Sequence, residues 1–188
     1  PDTEHEDYCS PLRYALSELL ENALTHARRE GRSDASVWIS SQYMQQPPSV
    51  QIAVVDNGCG FLATLATHAD LVEKTHAGAI LTALKPKISC NRDLGPFAES
   101  VNEGVGLTTT VKMSKATGGS LHILSGDAMV FETGARDQKR SDRASPLPAH
   151  WNGVAISATF IPSGLRGIKA SDHLPPNELK VSSTRTPI

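Results

Sequence analysis

The sequence predicts an α+β fold, a two-layer sandwich in which a mixed, mostly antiparallel sheet is covered on one face by helices. Two observations favour this fold. Apolar residues recur at helical spacing in two well-separated segments, and β-branched and aromatic residues cluster in short runs between glycines and prolines. The chain has 188 residues, of which 39% are hydrophobic, and this is enough for one domain with a core between a sheet and a helical layer.

The first predicted helix begins at Ser10, a good N-cap, and at Pro11, which suits the first helical position. Gly31 ends the pattern. The apolar positions of this helix are Leu12, Leu16, Leu19, Ala23 and Leu24. Its other side carries a stripe of polar residues, each one turn from the next: Glu18, Asn22, His26 and Arg29.

Five strands are predicted from their content of β-branched and aromatic residues. They span residues 35–44, 50–55, 121–125, 128–133 and 154–161. Gln45-Gln46-Pro47-Pro48 separates the first two strands, which predicts an antiparallel hairpin, and Gly126-Asp127 joins the third strand to the fourth. A polar stretch, residues 135–151, precedes the last strand.

A second long helix is predicted from about Gly104 to Thr117. It should bury Leu107, Val111 and Ser114 on one side, and Gly118-Gly119 should end it.

The segment between the two long helices is weakly patterned. A helix is expected from about Asp70 to Leu84, and Pro86 ends it. Residues 61–103 are therefore the expected place for a mobile lid. The domain is expected over residues 10–162, after an N-terminal extension of residues 1–9, and the serine, proline and scattered charge of residues 163–188 predict a disordered tail.

Composition excludes several functional classes. A formal net charge of −2 without a basic block argues against nucleic-acid binding. No apolar run approaches the length of a membrane span, so the chain is expected to be soluble and to make no membrane contact. Its three cysteines lack paired spacing, which favours a reducing cytoplasm over a disulfide framework or a zinc site. The start at Pro1 rather than methionine raises the expectation of an upstream part of a longer protein.

Three short motifs carry the chemistry of the chain. The first, Glu18 to Asn22, places a carboxylate and a carboxamide one turn apart on the first helix. The carboxamide oxygen of Asn22 suits Mg²⁺, which takes few protein ligands, and Glu18 is placed to orient or deprotonate a nucleophile that attacks a terminal phosphate.

The second motif, Asp56-Asn57-Gly58-Cys59-Gly60, follows an apolar strand. A carboxylate at Asp56 can accept a hydrogen bond from the exocyclic amine of adenine, and Gly58 and Gly60 allow positive φ and close backbone approach to a base. The third motif, Gly104-Val105-Gly106-Leu107, opens the second long helix. Exposed N–H groups and the helix dipole favour phosphate there.

The order and spacing of these motifs resemble the N-box, G1 and G2 motifs of the GHKL superfamily, the Bergerat-fold ATPases. This superfamily includes histidine kinases, anti-sigma-factor serine kinases, heat-shock chaperones, type II topoisomerases and mismatch-repair ATPases. The resemblance runs from about Ser10 to Pro162 and implies the same fold, with ATP and Mg²⁺ as cofactors. It implies that Glu18 is the general base and that Asn22 holds the metal. It also implies a nucleotide site built from Asn22, Asp56, Gly58, Gly60, Gly104, Gly106 and Leu107.

The chain departs from the family pattern in three places. Thr25 stands where kinases of the family often carry lysine, so a phosphate contact is in doubt. Gly95-Pro96-Phe97 is only weakly similar to the aromatic lid motif of sensor kinases. Gly153-Val154 stands where related ATPases often have Gly-Thr, which removes a hydroxyl contact.

Three functions fit these observations. The first is an ATP-dependent protein kinase in bacterial signalling, either the catalytic domain of a histidine kinase or an anti-sigma-type serine kinase, acting on a protein that the sequence does not identify. The strands after the second helix resemble those of free-standing bacterial ATP-binding regulators, which favours this function. The alternatives are an ATP hydrolase of the chaperone or mismatch-repair type and a module that binds ATP and switches partner affinity without turnover.

Overall fold

The structure, a computed structural model, describes residues 2–28, 33–86, 88, 105–134 and 144–173, with side chains from Tyr8 onward. Its helices are α1 (Asp2–His26), α2 (Gly60–Thr64), α3 (His76–Ala83), α4 (Gly106–Ala116) and α5 (Pro162–Leu165), followed by a 3₁₀ helix (Ala170–His173). Its strands are β1 (Val37–Gln45), β2 (Pro48–Asp56), β3 (Ser120–Thr133) and β4 (Ala144–Phe160).

The strands form one open sheet in the order β1-β2-β4-β3, and every neighbouring pair is antiparallel. β1 and β2 pair in unbroken register, from Val37 opposite Asp56 to Gln45 opposite Pro48. β4 lies between β2 and β3 although it follows both of them, and β1, in the sequence. The predicted α+β sandwich is therefore confirmed, and its described sheet is antiparallel throughout rather than mixed.

β3 turns back on itself at Gly126-Asp127. A straight strand of this length would hold its ends about 40 Å apart. Instead, the N–H of Gly134 donates to the carbonyl of Gly119 at 3.0 Å, and the rings of His122 and Phe131 lie 4.6 Å apart. The register with β4 also shifts on either side of Gly126. The two short strands that the sequence predicts around Gly126-Asp127 are thus the two arms of β3.

Helices α1, α3 and α4 pack on one face of the sheet. Alternate residues of β2, β3 and β4 point towards these helices and are buried, which is the two-residue period of a strand covered on one side. They include Ile52, Val54, Leu121, Ile123, Ile156, Ala158 and Phe160, each at most 5% exposed. Helix α4 buries Leu107, Val111 and Ser114 against them, as predicted.

Helix α1 differs from the prediction in where it begins and in which residues it buries. It begins at Asp2 rather than at Ser10, and Pro11 lies inside it. The ring of Pro11 is fully buried, so apolar contact offsets the missing backbone N–H. Leu24 is exposed, while Ala15, Leu19 and Ala23 face the core. Although α1 has 25 residues, neither it nor any other helix in the described ranges combines the length and apolar character that a membrane crossing requires.

The packed unit extends beyond the predicted limits of residues 10–162. Tyr8, in the predicted extension, accepts a hydrogen bond on its hydroxyl from Nε of Arg166 at 2.6 Å. Leu165, in the predicted tail, is fully buried in the core. The prediction of disorder is wrong for residues 163–173, because Leu165 and Ile168 find apolar contacts on the helical layer that local composition does not reveal. Residues 174–188 lie outside the described part of the chain.

Residues 61–86, the first part of the predicted lid, are folded and packed. The segment containing α2 and α3 forms a small apolar cluster of its own from Leu65, Leu71 and Ala79. Ile80 of α3 reaches the main core and has no exposed surface. The helix predicted from about Asp70 to Leu84 is shorter and begins at His76. Residues 87 and 89–104, which include Gly95-Pro96-Phe97, lie outside the described residues.

Helix α4 ends at Gly118-Gly119 as predicted. Gly118 has φ +82°, a conformation that favours glycine, and the N–H of Gly119 donates to the carbonyl of Ser114 at 3.0 Å. The buried hydroxyl of Ser114 lies 2.9 Å from the carbonyl oxygens of both Ser120 and Thr159. The last turn of the helix is therefore attached to β3 and to β4.

Two leucines of α1 test which side of the helix stabilises the fold. Leu19 is 1% exposed and Leu24 is 56% exposed. Leu19→Ala should lower the free energy of unfolding by about 2–5 kcal/mol, because it leaves a cavity between the helix and the sheet. Leu24→Ala, the matched control, should change it by less than about 0.5 kcal/mol. Urea unfolding of the two variants would measure both, and equal losses would contradict the assigned orientation of α1.

Candidate functional site

The three predicted motifs lie on three elements of the described fold. Glu18 and Asn22 are on α1, Asp56 ends β2, and Gly58 and Gly60 lead from β2 into α2. Gly106 and Leu107 are the first two residues of α4. Gly104 lies outside the described residues.

Glu18 and Gly106 bring the first and third motifs together. A side chain at Gly106 would overlap the carboxylate of Glu18. A side chain at this position would have to displace the carboxylate, so the glycine allows Glu18 of α1 to lie against the first turn of α4. The approach places a carboxylate beside the positive end of the α4 dipole, where backbone N–H groups lack partners within the helix.

Asn22 lies one turn after Glu18 on the same side of α1, and both side chains are half-buried. Ala15, Leu19 and Ala23 are buried in the core beneath this side. The core thus fixes the rotation of α1 and with it the position of the carboxylate and the carboxamide.

Asp56 is the most deeply buried of the predicted polar site residues, at 4% exposure. Its Oδ1 accepts hydrogen bonds from the N–H of Gly58 at 2.9 Å and from the N–H of Val154 at 3.2 Å. No described residue donates to Oδ2. Burial raises the pKa of the Asp56 carboxyl above its ordinary value, and the two backbone hydrogen bonds oppose that rise.

The two glycines of the second motif serve different purposes. A side chain at Gly58 would overlap the backbone of Ala27, so this glycine lets the loop after β2 approach the end of α1. Gly60 has φ +75°, and a Cβ there would lie 2.8 Å from the hydroxyl oxygen of Ser125. The positive φ expected for these glycines is thus found at Gly60, whereas Gly58 is required by close packing.

Residues that the sequence analysis missed hold Asp56 in place. The hydroxyl of Ser125 donates to the carbonyl of Gly153 at 2.8 Å and accepts from the N–H of Phe61 at 3.2 Å. The indole N–H of Trp151 donates to the carbonyl of Asp56 at 2.9 Å. The available signals were weak: Ser125 occupies a core-facing position of a strand, and Trp151 is the one aromatic residue in a polar stretch.

The chain has Val154 where related ATPases often have threonine, and the hydrogen bond from residue 154 to Asp56 does not depend on that difference. The contact to Asp56 comes from the backbone N–H of Val154, which any residue except proline would supply. Gly153 precedes it with φ +121°, and a side chain there would overlap the carbonyl of Asp56. The glycine is therefore required, and the side chain at 154 is not part of the contact.

Cys59 joins the loop after β2 to α1. Its Sγ donates to the carbonyl of His26 at 3.4 Å and lies 3.4 Å from the hydroxyl of Thr64. A pocket of about 400 Å³ opens beside it and is lined by Cys59, Leu62, Ala63, Ala66, Leu71, Lys74 and His76. Of the second motif only Cys59 lines this pocket, and Glu18, Asn22 and Gly106 are not among its lining residues.

A comparison with known protein families matches most of the chain. Residues 9–143 match the family of histidine kinase-, DNA gyrase B- and HSP90-like ATPases. The chain belongs to this family. It thus contains an ATP-binding domain of the GHKL type, as the three motifs indicate. Neither a comparison with curated proteins nor one with solved structures finds a match.

The residues present fit the ligands of this family. Asp56 offers Oδ2 as a buried acceptor, and the carboxylate of Glu18 occupies the space that a side chain at Gly106 would fill. No group of three or more His, Cys, Asp or Glu side chains in the described ranges is arranged to hold a metal ion. A single carboxamide such as Asn22 suits Mg²⁺, which keeps water and phosphate oxygens in most of its coordination shell.

Asp56→Asn tests the cost of burying this charge. The pKa of Asp56 is raised from 3.8 in the folded state, so its contribution to stability is fully present below that pH and is lost as pH rises through the higher folded-state pKa. Asparagine keeps an oxygen acceptor for both backbone N–H groups but carries no charge. The variant should therefore gain stability relative to the wild type as pH rises, towards a plateau.

The measurement is urea unfolding of both proteins between about pH 3 and pH 8, interpreted through the linkage of stability to proton binding. Asp127→Asn, which removes an exposed carboxylate at the turn of β3, is the matched control. A pH-independent difference between Asp56→Asn and the wild type would show that the buried carboxylate carries no such penalty.

Proposed function

We propose that this domain binds ATP with Mg²⁺ and transfers the γ-phosphate to a protein, as the catalytic domain of a histidine kinase or as a serine kinase of the anti-sigma type. The observation that carries the proposal is the contact between Glu18 and Gly106, which puts a carboxylate at the uncapped start of α4. A phosphate held at this helix end would lie next to a candidate general base.

Asp56 would select adenine. The exocyclic amine of adenine is a donor, and the free acceptor on Asp56 is Oδ2, since Oδ1 already accepts two backbone N–H groups. Guanine has a carbonyl at the corresponding position, and two acceptors facing each other in a buried site are unfavourable. The contacts from Gly58 and Val154 fix the carboxylate before nucleotide arrives, which lowers the cost of ordering it.

Asn22 would hold the Mg²⁺ through its carboxamide oxygen. The cation would neutralise charge on the phosphates, which otherwise face the carboxylate of Glu18. The N–H groups at the start of α4 would bind phosphate oxygens, as N–H groups at a helix N-terminus commonly do. Gly104 and Leu107 belong to the same motif and would contribute to the same phosphate site.

Glu18 would act on the nucleophile. A serine hydroxyl or a water molecule loses its proton as its oxygen attacks the γ-phosphorus, and Glu18 can accept that proton. A neutral histidine attacks through a nitrogen lone pair, so Glu18 would then orient the imidazole by accepting its other N–H. Because a carboxylate serves water equally well, hydrolysis of the chaperone or mismatch-repair type is the second candidate, and an ATP-dependent switch without turnover is the third.

The proposed function bears on the cellular compartment of the protein and on how the predicted lid could move. ATP and the absence of paired cysteine spacing support a cytoplasmic location, with a protein partner of signalling as substrate. Residues 61–86 of the proposed lid are packed, so a closing movement of this part of the lid would have to carry α2 and α3.

Asp56→Asn should weaken ATP binding roughly tenfold to more than a hundredfold, because it replaces an acceptor for the adenine amine by a donor. The same donor can face the guanine carbonyl, so the preference for ATP over GTP should fall or reverse. Calorimetric titration with both nucleotides measures this, with Asp127→Asn as the control. An unchanged preference in Asp56→Asn would contradict the adenine assignment.

Glu18→Gln and Asn22→Ala should fail in different ways. Glu18→Gln keeps the size of the side chain and one oxygen acceptor but removes the base, so ATP affinity should stay near the wild-type value while phosphoryl transfer falls by roughly 10² to 10⁴. Asn22→Ala should remove the dependence of ATP affinity on Mg²⁺. Ser17→Ala, an exposed change on the same helix, is the matched control.

γ-Labelled ATP, scored separately for free phosphate and for protein-bound phosphate, reports the reaction itself. Protein-bound label supports the kinase, free phosphate alone supports the hydrolase, and binding without either product supports the switch. If Glu18→Gln weakens ATP binding as strongly as Asn22→Ala and leaves the chemical step unchanged, Glu18 is not the base.

A further inference from the structure

Strand β1 forms one side of the described sheet. Of the described strands, β2 alone pairs with it. The pairing is regular over all nine residues, from Val37 to Gln45, without a bulge. The other side of β1 therefore presents a straight row of backbone N–H and C=O groups.

β1 lacks the features by which proteins usually protect such an edge. Its sequence, VWISSQYMQ, contains no charged residue and no proline, and seven of its nine residues are exposed. Large apolar side chains are among them: Trp38 is 51%, Ile39 51% and Tyr43 59% exposed. Because Ile39 pairs with Val54 and Tyr43 with Val50 of β2, both lie on the helical side of the sheet, whereas Trp38 lies on the other side.

The strand is complementary to itself. In an antiparallel pair of two β1 strands centred on Ser41, Ile39 of each copy lies opposite Tyr43 of the other. Trp38 of each copy lies opposite Met44 of the other, on the opposite face. Trp38, Ile39, Tyr43 and Met44 thus each gain an apolar or aromatic neighbour on their own face of the sheet. The two-fold axis passes midway between the two Ser41 residues.

We propose that β1 is a self-association edge, and that two copies of this chain pair through it into one continuous sheet with the strand order β3-β4-β2-β1-β1-β2-β4-β3. The net charge of −2 leaves little repulsion between copies, and the paired edges carry no charge at all. Val37, which pairs with Asp56, is at one end of β1. Antiparallel pairing therefore places the proposed nucleotide sites of the two copies at opposite ends of the interface.

Substitutions at Ser41 test this register directly. Ser41 is exposed, and in the proposed dimer it faces its own copy across the axis. Ser41→Glu and Ser41→Lys each place two like charges directly opposite one another, and each should weaken the dimer roughly tenfold to a hundredfold. An equimolar mixture of the two variants places opposite charges at the axis and should restore the dimer. Ser145→Glu, at an exposed serine of β4, is the matched control and should dimerise like the wild type.

Sedimentation velocity over a range of concentrations measures the association of each protein, and circular dichroism confirms that each variant is folded. A dimeric wild type, two monomeric variants and a dimeric mixture support the proposal. A wild type that stays monomeric overturns it and leaves the edge to an extended segment of a different protein. A mixture that stays monomeric, or a control that dissociates as the Ser41 variants do, overturns pairing centred on Ser41.

Discussion

The burial of the Asp56 carboxylate is the constraint on which the rest of the site depends. A buried charge is costly unless hydrogen bonds replace the water it loses, and here two backbone N–H groups do so. One comes from Gly58 in the loop after β2 and the other from Val154 in β4. To deliver them, the loop must pass close to the end of α1 and β4 must pass close to the end of β2. Those two approaches explain why Gly58 and Gly153 lack side chains.

The second constraint is electrostatic and concerns the contact between α1 and α4. The carboxylate of Glu18 lies against the start of α4, where the helix dipole stabilises negative charge. A phosphate in the same place would share that positive potential with a group of its own sign. A divalent cation would resolve this conflict, and the neutral carboxamide of Asn22 would provide a ligand without adding further negative charge. The geometry therefore links the proposed need for Mg²⁺ to the proposed base.

Local sequence patterns predicted much of the fold. They failed where contacts between distant parts of the chain determine the structure. The alternation in β2 and in the arms of β3, the glycines after α4 and the turn at Gly126-Asp127 are readable because each depends on neighbouring residues. The start of α1 was misplaced because Ser10-Pro11 is a good cap by local rules, whereas burial of Pro11 lets the helix continue. Leu165 was missed because one leucine in a polar segment carries no periodic signal. Ser125 contacts Gly153 and Trp151 contacts Asp56 from far along the chain, so no local pattern marks them.

The position of β4 has a consequence for the order in which the sheet can be assembled. β4 is synthesised after the other three described strands, yet it lies between β2 and β3 and pairs Phe160 with Val50. Until it arrives, the β1-β2 hairpin and the hairpin of β3 are separate units that have no hydrogen bonds to each other within the described sheet. Joining them closes a long loop, which slows folding more than local pairing does. A nascent chain can therefore form both hairpins early, but it can complete the hydrogen bonds of Asp56 only after β4 has left the ribosome.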